Sequence, residues 1–229
     1  MTCIHIPTRR LAHALRRAAS RARHGLRRDD GVAGIELAVI LPVVLLCLLG
    51  FTEAYLYIRA AAAVERTAFT LADTLGQKSS VIDIDTTASA NNIGAYWNAG
   101  DLIAEPLDMD HVGEIIITSV CDTNSNNCAT PGAVGTPGVA GTPKILWQRQ
   151  SPADGTQNPN LKSELGAGIT PSGWPFHSGD SMLAVEVFYT FNPFTMTSNF
   201  WPGAPGTQVI YEVAYTRPRW DKPVVITAS

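Results

Sequence analysis

Apolar and polar positions follow three different rules along this 229-residue chain. Up to residue 30, arginines interrupt every group of apolar residues. From Leu37 to Phe51 there are fifteen consecutive residues without a charge, a stretch that predicts about 22 Å of helix. Beyond it, Ala60, Val64, Ala68, Leu71 and Leu75 recur at spacings of four, four, three and four, which marks one face of an amphipathic helix. Gly76 is placed to stop that helix. The pattern therefore predicts one helix with two characters, apolar all round at first and apolar on one side afterwards.

A bilayer core of about 30 Å needs about 20 residues to cross. Val32–Ile35 and Ala54–Ile58 extend the uncharged run far enough, with Glu36 and Glu53 near its two ends. Tyr55 and Tyr57 suit an outer membrane interface. Pro42 removes one helical hydrogen bond and predicts a kink, which membrane helices tolerate. A cleaved secretory signal is a competing reading, disfavoured by Arg59 and by the distance of the run from residue 1.

Asp83 or Asp85 can cap a second helix over 86–104, with Ile93, Trp97 and Leu102 on its apolar side, although Asn91, Asn92, Gly94 and Gly100 weaken it. Four later segments read as strands: Glu114–Val120, Lys144–Gln150, Ser181–Phe191 and Gln208–Thr216. Helices followed by strands predict an α+β fold: a transmembrane helix that continues into a soluble helix, packed with the second helix on one antiparallel sheet. The predicted organisation is a leader over 1–31, a transmembrane helix over 32–58 and an extracytoplasmic domain over 59–229.

Charge orients this arrangement. Eight of the 17 basic residues fall within the first 30 positions, whereas after Gly31 nine basic residues face 18 acidic ones. An arginine-rich leader predicts a cytoplasmic N-terminus, and the acidic remainder argues against a nucleic-acid partner. The leader reads as solvated chain. A helix on the membrane surface and a twin-arginine export signal are weaker readings of its Arg pairs.

One carboxylate breaks the apolar pattern. Glu36 lies five residues after Gly31, at the mouth of the uncharged run, where a charge costs about 2.5–3.5 kcal/mol to insert and needs a partner. Cleavage after Gly31 would supply one: Val32 would carry a free ammonium one helical turn from Glu36, or next to the Glu36 of a neighbouring copy. The segment Gly31-Val-Ala-Gly-Ile-Glu36-Leu37 resembles the processing site of type IV prepilins, in the form found in TadE/TadG-like pseudopilins of tight-adherence pili. Ile117–Cys121, Val185–Pro193 and Arg217-Pro-Arg219 are similar to motifs of that family's outer domain. The resemblance implies a pilin-like fold and a minor pseudopilin of a type IVb-like pilus system, held in the inner membrane with its domain outside the cytoplasm. Implied partners are a prepilin-type peptidase, other pilin or pseudopilin subunits and pilus assembly proteins, and the membrane. Gly31, Val32, Glu36 and Leu37 are then processing-site residues. The alternative is an uncleaved single-pass protein whose outer domain binds other pilus components.

Cys121 and Cys128 bracket a turn-prone stretch and should form a disulfide once exported. Cys3 and Cys47, in the leader and the span, should stay reduced. Thr130–Pro143 repeats a Gly-Thr-Pro motif and reads as a loop with Pro-Gly turns. Trp174, Phe176 and His177 read as local packing. No nucleophile elbow, phosphate loop, zinc-protease or dinucleotide motif occurs, so no enzyme, cofactor or metal is expected. Asp108, Asp110, His111 and Glu114 can be assembled into a metal site on paper, but a polar start to a strand explains them more simply.

Overall fold

The structure is a computed structural model that describes residues 30–152, 161–165, 169–194 and 206–228, with side chains from residue 34 onward. The leader through residue 29, including Cys3, lies outside the described residues. The chain divides into two compact units, Met1–Ala54 and Tyr55–Ser229.

Helix α1 runs from Asp30 to Gly76. In its first part the apolar side chains all face outward: Ile35, Leu37, Val44, Leu46 and Phe51 are 45–75% exposed. The helix continues through Pro42 without a break. Beyond Ile58 the helix acquires a buried side. Ala60, Val64, Ala68, Leu71 and Leu75 are at most 2% exposed, as their spacing predicts. The hydroxyls of Thr52, Thr67, Thr70 and Thr74 each donate to the carbonyl four residues earlier, so these four side chains are satisfied within the helix. Gly76 ends the helix, and its carbonyl accepts a 2.8 Å bond from the Arg219 amide.

Strand β1 (Ser80–Ile82) follows at once. Helix α2 is shorter than its predicted range and covers Ile93–Ala104, with Asn92 at the N-cap position. Asp83 and Asp85 are not caps. Asp83 pairs with Arg149 at 2.6 Å, and Asp85 accepts from the Trp97 indole at 3.3 Å. The glycines that weaken the helix in sequence are the reason it packs closely. A Cβ on Gly94 would lie 2.4 Å from the Thr86 amide nitrogen, and one on Gly100 would lie 2.3 Å from Ile115. Ile93 and Trp97 are buried, but Leu102 is 58% exposed, because the face of α2 that meets α1 is set by Tyr96 and Gly100 instead.

A single turn, α3 (Met109–Val112), leads into β2 (Gly113–Asp122). Then come β3 (Pro143–Gln150), β4 (Met182–Phe191), β5 (Gln208–Thr216) and β6 (Val225–Thr227). The four longer strands form one antiparallel sheet in the order β3-β2-β4-β5. Ile117, Val185 and Ala214 lie in one cross-strand row at its centre. β1 and β6 add a separate parallel pair that the sequence did not announce.

Because strand side chains alternate, the sheet has two different faces. Ile115, Ile117, Leu183, Val185 and Val187 pack with α1 and α2 into the main core. The opposite face carries Glu114, Ile116, Thr118, Glu186 and Tyr211, with smaller clusters under Leu161, Phe176 and Trp174. Both Ser119 Oγ and the Trp147 indole donate to the Val224 carbonyl, at 2.8 and 2.7 Å, and tie the C-terminal segment onto the sheet.

Candidate functional site

The residues of the predicted processing site all lie in α1. Gly31 and Val32 fall in its first turn, and Glu36 and Leu37 follow on its exposed surface. The first turn of a helix has amide groups without intrahelical partners, so it is the part that opens most readily to an extended backbone. From Gly34 to Gly76, α1 is long and apolar enough to cross a membrane, and none of its most apolar stretch is buried. Cys47 sits on this surface as a free, exposed thiol.

Within Tyr55–Ser229, polar chemistry gathers where three loops meet at the end of β2. Cys121 and Cys128 form a disulfide with their Cα atoms 5.1 Å apart. Asp122, next to the bridge, is fully buried and is the hub of the cluster. Its Oδ1 accepts from the amides of Asn124 and Thr142 at 3.1 and 2.7 Å. Its Oδ2 accepts from those of Ser125 and Gly179 at 2.8 and 2.9 Å. Burial works against the charge, but the donors outweigh it and hold this carboxyl well below the usual range. Asn127 continues the clamp, donating to the Gly179 carbonyl and accepting from the Gly132 amide. The Gly-Thr-Pro loop is thereby fixed to the 177–180 turn so tightly that a Cβ on Gly135 would overlap Ser178.

Beside this clamp, Arg217 pairs with Asp180 at 3.0 Å, donates to the Pro175 carbonyl and lies 5.7 Å from the centre of the Trp174 ring. His177 is exposed and 3.5 Å from Asp180. Phe176 is buried against Val120 and Met182. Trp174 and Phe176 thus pack locally, as expected.

Two glutamates lie inside the second face of the sheet, which the sequence reading missed. Glu186 receives the hydroxyl of Ser163, the amide of Glu164 at 2.8 Å and the hydroxyl of Tyr211 at 3.2 Å. Burial and the adjacent Glu186 push the Tyr211 hydroxyl far above its ordinary pKa. Glu114 accepts from Ser151 at 3.2 Å, and burial raises its pKa. A polar strand start does not describe Glu114, which is only 2% exposed. Asp108 and His111 instead contact each other on the surface at 2.7 Å. Among the described residues no group of three or more His, Cys, Asp or Glu side chains that could hold a metal ion forms.

This chemistry holds loops in place. Asp122 and Glu186 each use both carboxyl oxygens on donors from the surrounding loops. One signal in the sequence pointed to the first of them: an aspartate directly followed by Thr-Asn-Ser-Asn suits a side chain that bonds amides two and three residues on. Nothing local marked Glu186, because its donors come from a segment more than twenty residues away. Comparison with protein-family models, with curated proteins and with solved structures gives no match.

Proposed function

We propose that this chain is a minor pseudopilin-like subunit of a tight-adherence pilus system, cut after Gly31 and anchored in the inner membrane by the first half of α1. The observation that carries the reading is the division of labour within α1. Its first part exposes apolar side chains in every direction, while its last turns supply the core of an α+β domain. A subunit that must be stored in a membrane and then stacked by its helix needs both properties in one element. The Gly31-to-Glu36 spacing at the head of that helix supplies the processing chemistry. Glycine at residue 31 offers a peptidase an unobstructed backbone. The new Val32 ammonium, from the same or a neighbouring chain, compensates Glu36 in the apolar phase.

N-terminal sequencing of the chain extracted from membranes tests the reading. Val32 as the first residue is expected, together with full-length, unassembled protein from Gly31→Trp. Glu36→Ala should insert in the membrane but fail to join a pilus. An intact leader in cells that make functional pili overturns the pseudopilin reading. One observation favours the second reading, an uncleaved single-pass protein that binds pilus components through its outer domain: the Gly31–Val32 bond lies inside α1, so the first turn must open before a peptidase can act. That reading expects the leader to be retained and Gly31→Trp to be silent.

A further inference from the structure

The continuous run of exposed apolar residues in α1 ends at Ile58, with Phe69 exposed by itself further along, and the residue after Ile58 is Arg59. Beside it a hollow of about 240 Å³ opens between α1 and the turn after α2, lined by Arg59, Ala62, Arg66, Glu105, Pro106 and Leu107. Its charges are sorted by side. α1 contributes two arginines seven residues apart on the same face, their Cα atoms about 10 Å apart along the axis and both side chains lining the hollow. The end of α2 contributes one carboxyl group.

These groups do not neutralise one another. Arg66 is steadied by a 2.9 Å bond from Nη2 to the Ile103 carbonyl, which leaves its other N–H groups for a ligand. Arg59 has no hydrogen bond or ion pair among the described residues. Glu105 occupies the C-cap position of α2, where unpaired carbonyls and the helix dipole already concentrate negative potential. Asp101 and Asp108 add to that potential, and burial together with the nearby carboxylates raises the Asp101 pKa. One wall of the hollow therefore suits an anion and the other a cation.

The level of the hollow decides what the ligand is. A headgroup layer extends about 5–7 Å beyond each side of the hydrocarbon. Helical side chains lean toward the N-terminus, so Arg66 reaches back toward Arg59, which directly follows the apolar run. We infer that this hollow binds the headgroup of an aminophospholipid, with the phosphate on Arg59 and Arg66 and the primary ammonium on Glu105. Guanidinium groups favour phosphate oxygens, and a carboxylate discriminates a primary ammonium, which donates hydrogen bonds, from a quaternary one, which cannot. The inference rests on the reading that the first half of α1 spans a membrane.

The test uses the full chain in mild detergent, mixed with equal amounts of phosphatidylethanolamine, phosphatidylglycerol and phosphatidylcholine carrying the same acyl chains. Retained lipid is read by native mass spectrometry. Phosphatidylethanolamine should be retained over each of the others by about tenfold. Arg59→Gln combined with Arg66→Gln should abolish this retention. Glu105→Gln should remove the preference over phosphatidylglycerol while phosphate binding persists. All three positions are exposed, so unchanged thermal unfolding of the variants is the folding control. Equal retention of the three lipids, or preference for phosphatidylglycerol by the unaltered chain, overturns the site. Flotation with vesicles of each lipid separates the two levels of the claim. A chain that floats with all vesicles without headgroup preference loses only this site. A chain that floats with none loses the membrane reading as well.

Discussion

The two halves of α1 obey the same geometry and meet different surroundings. In the first half, Val44 and Leu48 point outward with the rest of the apolar residues. In the second, Val64 and Leu71 are sealed against the sheet while Glu65, Arg66, Thr70 and Asp73 face away. The contrast teaches that apolarity alone does not define a core. A helix that is apolar all round requires an apolar medium or apolar neighbours, whereas a one-sided helix is satisfied by its own domain.

The largest effect that can break this comparison comes from placing one charge in each half. Leu71→Asp buries a carboxylate with no donor in the core and should cost more than about 4 kcal/mol, leaving the outer domain unfolded. Val44→Asp should leave the thermal unfolding of that domain unchanged and instead impair membrane insertion, at a cost of about 2.5–3.5 kcal/mol. Circular dichroism of the purified variants and membrane fractionation separate the two outcomes. Equal loss of folding from both would remove the distinction between the halves.

Next in size is a response to acid that belongs to the domain alone. The folded-state pKa of Asp122 is depressed, so its contribution is fully present above the unfolded value of about 4 and is lost as pH falls through the lower folded value. Asp122→Asn turns an amino group toward backbone amides that need an acceptor. It should cost about 1.5–3 kcal/mol at neutral pH and flatten the acid limb of the stability curve. Thermal unfolding between pH 2 and 7 reads both effects. An acid limb unchanged in the variant would take the clamp out of the account.

A smaller pair of substitutions sharpens the comparison. Ala at Gly100 would drive a methyl group into Ile115 and Leu71, and should destabilise the domain by about 1–3 kcal/mol. Ala at Gly50 meets nothing within 4 Å and should leave the domain unaffected while favouring the helix by about 1 kcal/mol. Denaturant unfolding of both variants checks the difference.

Much of the fold could be read in the chain, and for a physical reason. Ala60, Val64, Ala68, Leu71 and Leu75 follow helical periodicity and are the residues that are buried. The four strands carry β-branched and alternating residues and pair as one antiparallel sheet. The disulfide followed from two cysteines flanking a turn. What escaped depends on contacts distant in sequence. β1 and β6 are three residues each, too short for a period, and become strands only by pairing with each other. Asp83 looked like a cap until Arg149 was brought to it, and Gly94 and Gly100 looked like helix breakers until their neighbours were in place. Of the candidate site, Gly31, Val32, Glu36 and Leu37 were legible as a pattern and lie together at the head of α1. The hollow at Arg59 was not, because Glu105 reaches it from a different helix.

The central claim is that the first half of α1 is housed in a membrane, and the native Cys47 thiol reports on it directly. In a Cys3→Ser chain, with Cys121 and Cys128 held in their disulfide, Cys47 is the one thiol left to react. In intact membranes, with both aqueous sides given access, a water-soluble maleimide should leave it unlabelled. It should become labelled after denaturation in detergent. Rapid labelling of Cys47 in intact membranes would place this surface in water and contradict the account.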